Sequence, residues 1–314
     1  MVKLSIGLPV YNGEEYLSEA LDSLLTQTYR DFELIISDNA SVDRTDEICR
    51  AYAAKDARIR YFRCDQNMGA APNFNRVFEL SSAPLFKWAA ADDLHAPTYL
   101  ERCMEVMERD PGVVLSHSYA TMIDEKAQPL RFDEQQGCFI DSYDDPVLRM
   151  DRTHIAETGG PEVRFRDLLK HMKWCFESFG VIRRDALLKS PLHESYYGAD
   201  KVFLAALALE GRYHQVPEHL FLRRVHRGCT HAKTPQELAE HMDTKGSWHI
   251  PHFMMFKDYV KIAMTYDGLS IGQRGHCLLS ILGLTIRPNV WRGFLVPGPE
   301  NQLGINFGKA AHSR

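Results

Sequence analysis

Four times in the first hundred residues, a short apolar run ends in polar, turn-forming residues and a helical pattern follows. The runs are 4–10 (L-S-I-G-L-P-V), 32–37 (F-E-L-I-I-S), 58–63 (R-I-R-Y-F-R) and the stretch from Leu85 through Trp88 into three alanines. Between them, Tyr16, Leu17, Ala20, Leu21, Leu24 and Leu25 recur at helical spacing, and 45–54 and 72–80 read the same way. Strands alternating with helices predict an α/β fold, a parallel sheet with helices on both faces. In such sheets ligands bind beyond the carboxyl ends of the strands. The four runs end in Tyr11-Asn12, Asp38-Asn39, Asn67 to Gly69 and Asp92-Asp93, so these loops are expected to converge on one site.

Two adjacent carboxylates closing a buried strand are costly unless solvated, paired or holding a cation. Mg²⁺ is typically held by one or two carboxylates with substrate phosphates. The alternative is that Asp92 and Asp93 cap the helix opened by Pro97, where Asp is favoured. No G-x-G-x-x-G follows the first strand, and there is no G-x-x-x-x-G-K-[ST], H-E-x-x-H or G-x-S-x-G. A bound phosphate would therefore rely on a metal and side chains. The formal net charge of −5 over 314 residues argues against a general nucleic-acid binder. Seven scattered Cys without C-x-x-C, and a strand pattern beginning at Leu4, predict reduced thiols, no targeting peptide and a cytoplasmic protein.

Further on, 113–123 reads as a strand, 131–161 as a long irregular loop over the site, 164–172 as a helix and 174–183 as a strand. A helix with an apolar face at Val202, Phe203, Ala206 and Leu209 carries Asp200 in its first turn, where a carboxylate also complements the helix dipole. Residues 220–226 form a strand ending in R-x-H. His226, Cys229 and His231 lack a fourth ligand at zinc spacing. Helical patterns at 235–241, 251–266 and 271–286 suggest a C-terminal helical extension that dimerises, rests on a membrane or holds a substrate. No apolar run approaches the roughly 18 residues of a membrane span.

The segments P-V-Y-N-G-E-E-Y-L, S-D-N-A-S-V-D-R-T, N-x-G with a later Asn75, and A-D-D with Pro97 together resemble the family-2 glycosyltransferases of the GT-A fold. The match covers about the first hundred residues, and a weaker one continues to His226. The resemblance implies a GT-A domain over 1–230, with a nucleotide-sugar half (1–110) and an acceptor half (111–230), followed by the extension 231–314. It further implies a metal-dependent, inverting sugar transfer from a nucleoside-diphosphate sugar, UDP-linked by preference, to a glycan, glycolipid or small-molecule hydroxyl, in cell-surface glycan or other glycoconjugate synthesis. Pro9, Tyr11, Glu14, Asp38, Asn67 and Asp92 would bind the nucleotide, with Tyr11 near the base and Asp38 accepting its N–H. Asp93 would hold Mn²⁺ or Mg²⁺, and Arg224 and His226 would close over the diphosphate, with His226 as a further metal ligand. Asp200 would be the catalytic base, with Glu194 in reserve. Ala90 and Ala199 stand where relatives often carry acids. Two other readings are a sugar nucleotidyltransferase and a catalytically silent nucleotide-sugar-binding protein.

Overall fold

A computed structural model describes residues 2–135, 138–141, 146–149, 155–172, 174–226, 228 and 251–285. Its centre is an eight-stranded sheet in the order β3-β2-β1-β4-β10-β6-β11-β5. The first four strands are parallel: β1 (Leu4–Val10), β2 (Phe32–Asp38), β3 (Ile59–Arg63) and β4 (Leu85–Trp88). The chain winds outward from β1 through α1 (Leu17–Leu25) and α2 (Thr45–Ala53) to β3, then returns through α3 (Ala70–Glu79) to β4 on the other side of β1. That reversal makes the β1/β4 crevice the topological switch point, where open α/β sheets bind ligands.

Alternation along β2 shows how the sheet separates two cores. Leu34 and Ile36 join the core under α1, α2 and α4 (Tyr99–Arg109), whereas Ile35 faces the opposite core. The second core is built from α3, α5 (Pro161–His171), α7 (Ala199–Glu210) and the C-terminal α8 (Pro251–Thr265) and α9 (Ile271–Thr285). Gly7 lets α3 sit close: a Cβ there would lie 2.6 Å from Val77 Cγ2 and 2.7 Å from Phe86 Cζ.

The other half of the sheet is mixed. β6 (Val113–Ile123) runs parallel to the long β11 (Arg212–Arg224), while β10 (Val181–Arg183) is antiparallel to both β4 and β6. β5, only Leu94–His95, pairs antiparallel with Leu222 and Phe221 of β11.

Four elements differ from the sequence reading. The strand expected at 220–226 begins at Arg212 and ends at Arg224. The strand at Leu85 stops at Trp88, before the alanines. The stretch 174–183 is a 3-10 turn over Phe176–Phe179 leading into β10, with α6 (Arg184–Leu188) directly after it. Its aromatic run resembles a strand because Phe176 and Phe179 are drawn inward against Phe221. The stretch 131–161 contains a three-stranded antiparallel sheet of β7 (Arg131–Asp133), β8 (Cys138–Ile140) and β9 (Pro146–Arg149). Among the described residues no helix is long and apolar enough to cross a membrane. The helix expected at 235–241, Cys229, His231 and the end beyond 285 lie outside the described residues.

Candidate functional site

Loops after β1, β2 and β3 are sewn together by their own polar side chains. Asn12, in the left-handed region at φ +50°, donates its N–H to Ser41 Oγ and accepts from Val42 N–H, both at 2.9 Å. Gly13 N–H reaches Thr45 Oγ1 (2.9 Å) and Glu14 N–H reaches Asp43 Oδ2 (3.0 Å). Glu14 in turn accepts from Arg44 N–H (3.0 Å), placing its carboxylate at the start of α2, where the helix dipole favours it. Asn39 donates to Asn67 Oδ1 and to the Gly69 carbonyl and accepts from Met68 N–H, tying the third loop to the second. Asn73 of α3 donates to the Ser37 carbonyl from below. The result is a preorganised polar floor, with the Tyr11 ring 44 % exposed at its rim.

Two of the expected nucleotide contacts lie inside this floor. Asp38 is wholly buried; its carboxylate accepts from Ser41 N–H (2.8 Å), Tyr61 Oη (3.0 Å) and the Arg63 guanidinium (3.0 Å). A nucleobase N–H would have to reach a buried carboxylate that already accepts three hydrogen bonds. Pro9 is buried within β1. Val10 turns its carbonyl to Asn39 N–H, on the β2 side, so Pro9 faces the β4 side. There pairing ends at Gly7–Trp88, and the missing N–H costs no ladder bond.

The fourth loop is placed by β5. Its pairing with β11, continued one and two residues, sets Asp93 and Asp92 opposite Arg223 and Arg224. Gln27, two residues past α1, secures the turn that follows, donating to the Ala96 carbonyl and accepting from Leu100 N–H. Asp93 is wholly buried and accepts twice from Arg223 Nη1 (2.9 and 3.0 Å) and once from Arg224 N–H (2.9 Å). Burial pushes its carboxyl up to about 6 against the pull of the Arg223 charge. Asp92 faces the other way, with its side chain 26 % exposed, and meets His226 Nε2 at 3.0 Å. Burial alone would raise Asp92, but the His226 hydrogen bond and the Arg223 charge outweigh it and hold Asp92 below the usual carboxylate range. His226 packs beside the Tyr16 ring at 4.8 Å, and its Nδ1 accepts from Gly228 N–H (3.2 Å), which puts the ring proton on Nε2.

This geometry gives two of the expected site residues partners within the protein. Arg224, expected over the diphosphate, is wholly buried: it donates to the carbonyls of Asp92, Asp124 and Glu125 and to Glu19, and stacks on Tyr16 at 4.6 Å. Asp93, expected as the metal ligand, points at Arg223, so the outward carboxylate is Asp92. The sequence reading gives Arg223 and Tyr16 no part in the site. The usable signal for Arg223 was strand alternation, which sends Arg223 and Arg224 to opposite faces of β11.

The acceptor side meets the same sheet end. Phe203 of α7 touches the Trp88 ring at 5.5 Å, and Asp200 stands one turn earlier in that helix, accepting from Lys201 N–H at 3.0 Å. Trp174 and Phe176 pack with Val225, next to His226, while Cys175 between them has its thiol pushed up by burial and by the neighbouring Asp200. Glu194 is exposed on the loop before α7. Among the described residues no group of three or more His, Cys, Asp or Glu closes on a metal.

The sequence profile of glycosyl transferase family 2 matches residues 5–187, more than half of the chain. The chain belongs to glycosyl transferase family 2. Within the family, an uncharacterized glycosyltransferase of Rickettsia typhi is 34 % identical over 130 residues, 41 % of this chain and 40 % of that protein. Glycosyltransferase GlyG of Streptococcus pneumoniae is 29 % identical over 137 residues, 43 % of this chain and 42 % of its own. The match thus spans about two-fifths of each of these relatives. Solved folds are similar over far more. TarS of Staphylococcus aureus, in complex with UDP-GlcNAc, superposes with a TM-score of 0.63 over 93 % of this chain and 78 % of that one, at 16 % identity. The mannosyltransferase PcManGT from Pyrobaculum calidifontis, with GDP-Man and Mn²⁺, gives 0.55 over 96 % and 85 %, at 13 % identity. These likenesses show the GT-A type of fold for this family member.

Proposed function

We propose that this family-2 protein transfers a sugar from a nucleoside-diphosphate sugar to an acceptor hydroxyl, with inversion at the anomeric carbon. The observation that carries the reading is the Asp92–His226 pair, which lies beyond the end of β4 and beside Tyr16 of the segment between β1 and α1. The polar floor and Tyr11 hold the nucleotide, with Glu14, Asp38 and Asn67 acting through the loop geometry they enforce. Among donors UDP-sugars are favoured; TarS was solved with UDP-GlcNAc and PcManGT with GDP-Man.

The donor set fits a divalent cation. Asp92 offers an oxygen and His226 a nitrogen 3.0 Å apart, joined by a proton that a cation can replace, and substrate phosphates would complete the shell. Mn²⁺ or Mg²⁺ held there would neutralise charge developing on the leaving diphosphate. Asp93 stands behind the pair and anchors Arg223, which lies 3.8 Å from Asp92. On the acceptor side Asp200 takes the hydroxyl proton as the acceptor oxygen bonds to the anomeric carbon and the bond to the diphosphate breaks. The acceptor class is a glycan, glycolipid or small molecule, consistent with glycoconjugate synthesis.

Thermal shift with UDP and GDP, each with and without Mn²⁺, tests the reading. A diphosphate at a hundred times its Kd should stabilise the protein by about 2.7 kcal/mol. That shift should require the metal in the parent protein, vanish in Asp92→Asn and His226→Ala, and survive in Asp200→Asn, which should lose transfer. An intact metal-dependent shift in Asp92→Asn would place the ion elsewhere.

A further inference from the structure

The loop that delivers Asp200 is held from two sides. At its start Asn75 of α3 clamps His193, donating to its carbonyl (2.9 Å) and accepting from its N–H (3.0 Å). Near its end Tyr196 Oη donates to Asp258 Oδ2 of α8 at 2.6 Å. Tyr196 and Tyr259, the residue after Asp258, are both buried. Two residues beyond Tyr196, Gly198 turns the chain into α7 at φ +88°, the left-handed region that glycine enters at no steric cost. The sulfur of Met255, also on α8, lies 3.0 Å from where a Gly198 Cβ would be. His252, at the start of α8, feels the charge of Lys201, and Asp200 bears on Tyr259. Four positions one turn or less apart on α8 therefore face the six residues that bring in Asp200.

From these contacts we infer that α8 is a working part of the acceptor half: the Tyr196–Asp258 hydrogen bond positions Asp200 for proton abstraction. The inference rests on Asp200 being the base. Without the bond, the stretch from Tyr196 to Asp200 keeps its anchor on Asn75 but loses the one at the helix entrance. The carboxylate then samples positions from which the acceptor proton is out of reach. The donor loops do not touch this bond, so nucleotide affinity is independent of it. Tyr196 and Asp258 are positioning residues, since neither needs to touch substrate.

The test uses full-length Tyr196→Phe, Asp258→Ala and the double variant. Hydrogen exchange of peptides covering 193–203 should rise in both single variants, while peptides covering 11–14 and 38–45 stay unchanged. With whichever of UDP-GlcNAc and GDP-Man the parent hydrolyses in the presence of Mn²⁺, kcat should fall about tenfold at unchanged KM, as expected for a misplaced catalytic group. The double variant should cost no more than either single one, because the two side chains act as one unit. Where neither donor is hydrolysed, exchange alone decides. Unchanged exchange at 193–203 would overturn the inference, as would raised exchange with kcat inside about twofold of the parent, the mark of an uncoupled contact. Asp200→Asn is run beside them. If it kept near-parental turnover, the base assignment would fall while the exchange result still reported on the latch.

Discussion

Replacing Arg223 by Met should destabilise the protein in a way that depends on pH, because it strands a buried carboxylate. Asp93 has no exposed surface, and two of its three hydrogen-bond contacts come from Arg223 Nη1. Breaking a buried pair by removing one partner costs about 3–5 kcal/mol. Arg223 keeps 18 % of its side chain in solvent, which argues for the low end of that range, about 3 kcal/mol. Such a loss corresponds to raising the Asp93 carboxyl by about two further pH units. It would move further up from its value of about 6 in the parent.

The sign follows from proton counting. Asp93 holds its proton more tightly in the native state than in the unfolded chain, so its contribution is greatest at acid pH. That contribution is lost as pH rises through the folded value. In the parent the loss is complete soon after pH 6; in Arg223→Met it continues to higher pH. The deficit of the variant should therefore be about 1 kcal/mol or less at about pH 5.5, and about 3 kcal/mol at about pH 8.5. Urea unfolding followed by Trp fluorescence at both pH values measures it. Adding Asp93→Asn to Arg223→Met should recover most of the high-pH deficit. Equal deficits at the two pH values would refute the reasoning, since they would mean the pair acts by packing and not by charge.

Two further perturbations test the sheet that carries the site. Gly7→Ala would set a methyl within 2.8 Å of Val77 and Phe86, and such overpacking should cost about 1–3 kcal/mol by urea midpoint. A variant as stable as the parent would show that α3 can retreat freely. Lys87 is wholly buried in β4, donating to the carbonyls of Trp88 and Phe179 and lying 4.7 Å from the Tyr99 ring centre; burial pushes it down to about 7. Because the unfolded chain keeps that proton to about pH 10, the parent should gain about 2 kcal/mol between pH 7 and 9 relative to Lys87→Met. Stability curves at the two pH values check this, and parallel curves would show that Lys87 keeps its charge.

How far the site could be read from sequence depends on how many residues carry each signal. β1, β2 and β3 and their helices announce themselves because five to ten residues repeat one period, and the loops at their ends are polar for a reason the structure confirms: Asn12, Asn39 and Asn67 knit one floor. β5 has two residues and therefore no period to read, yet it decides which acid meets His226. Adjacent acids and adjacent arginines point to opposite sides of an extended chain, and a shift of one residue exchanges their environments. Asp92-Asp93 and Arg223-Arg224 are both such pairs. Nothing within L-F-L-R-R-V-H or A-D-D-L-H fixes which member of each pair meets which partner, because the answer is set by how Leu94 and His95 register against Leu222 and Phe221. Once that register is known, the inward pair is Asp93 with Arg223, Arg224 is spent on carbonyls, and Asp92 is left to meet His226. The same limit hid the role of α8. Its apolar spacing shows a helix, but a single Tyr196–Asp258 bond across 62 residues leaves no mark in either local pattern.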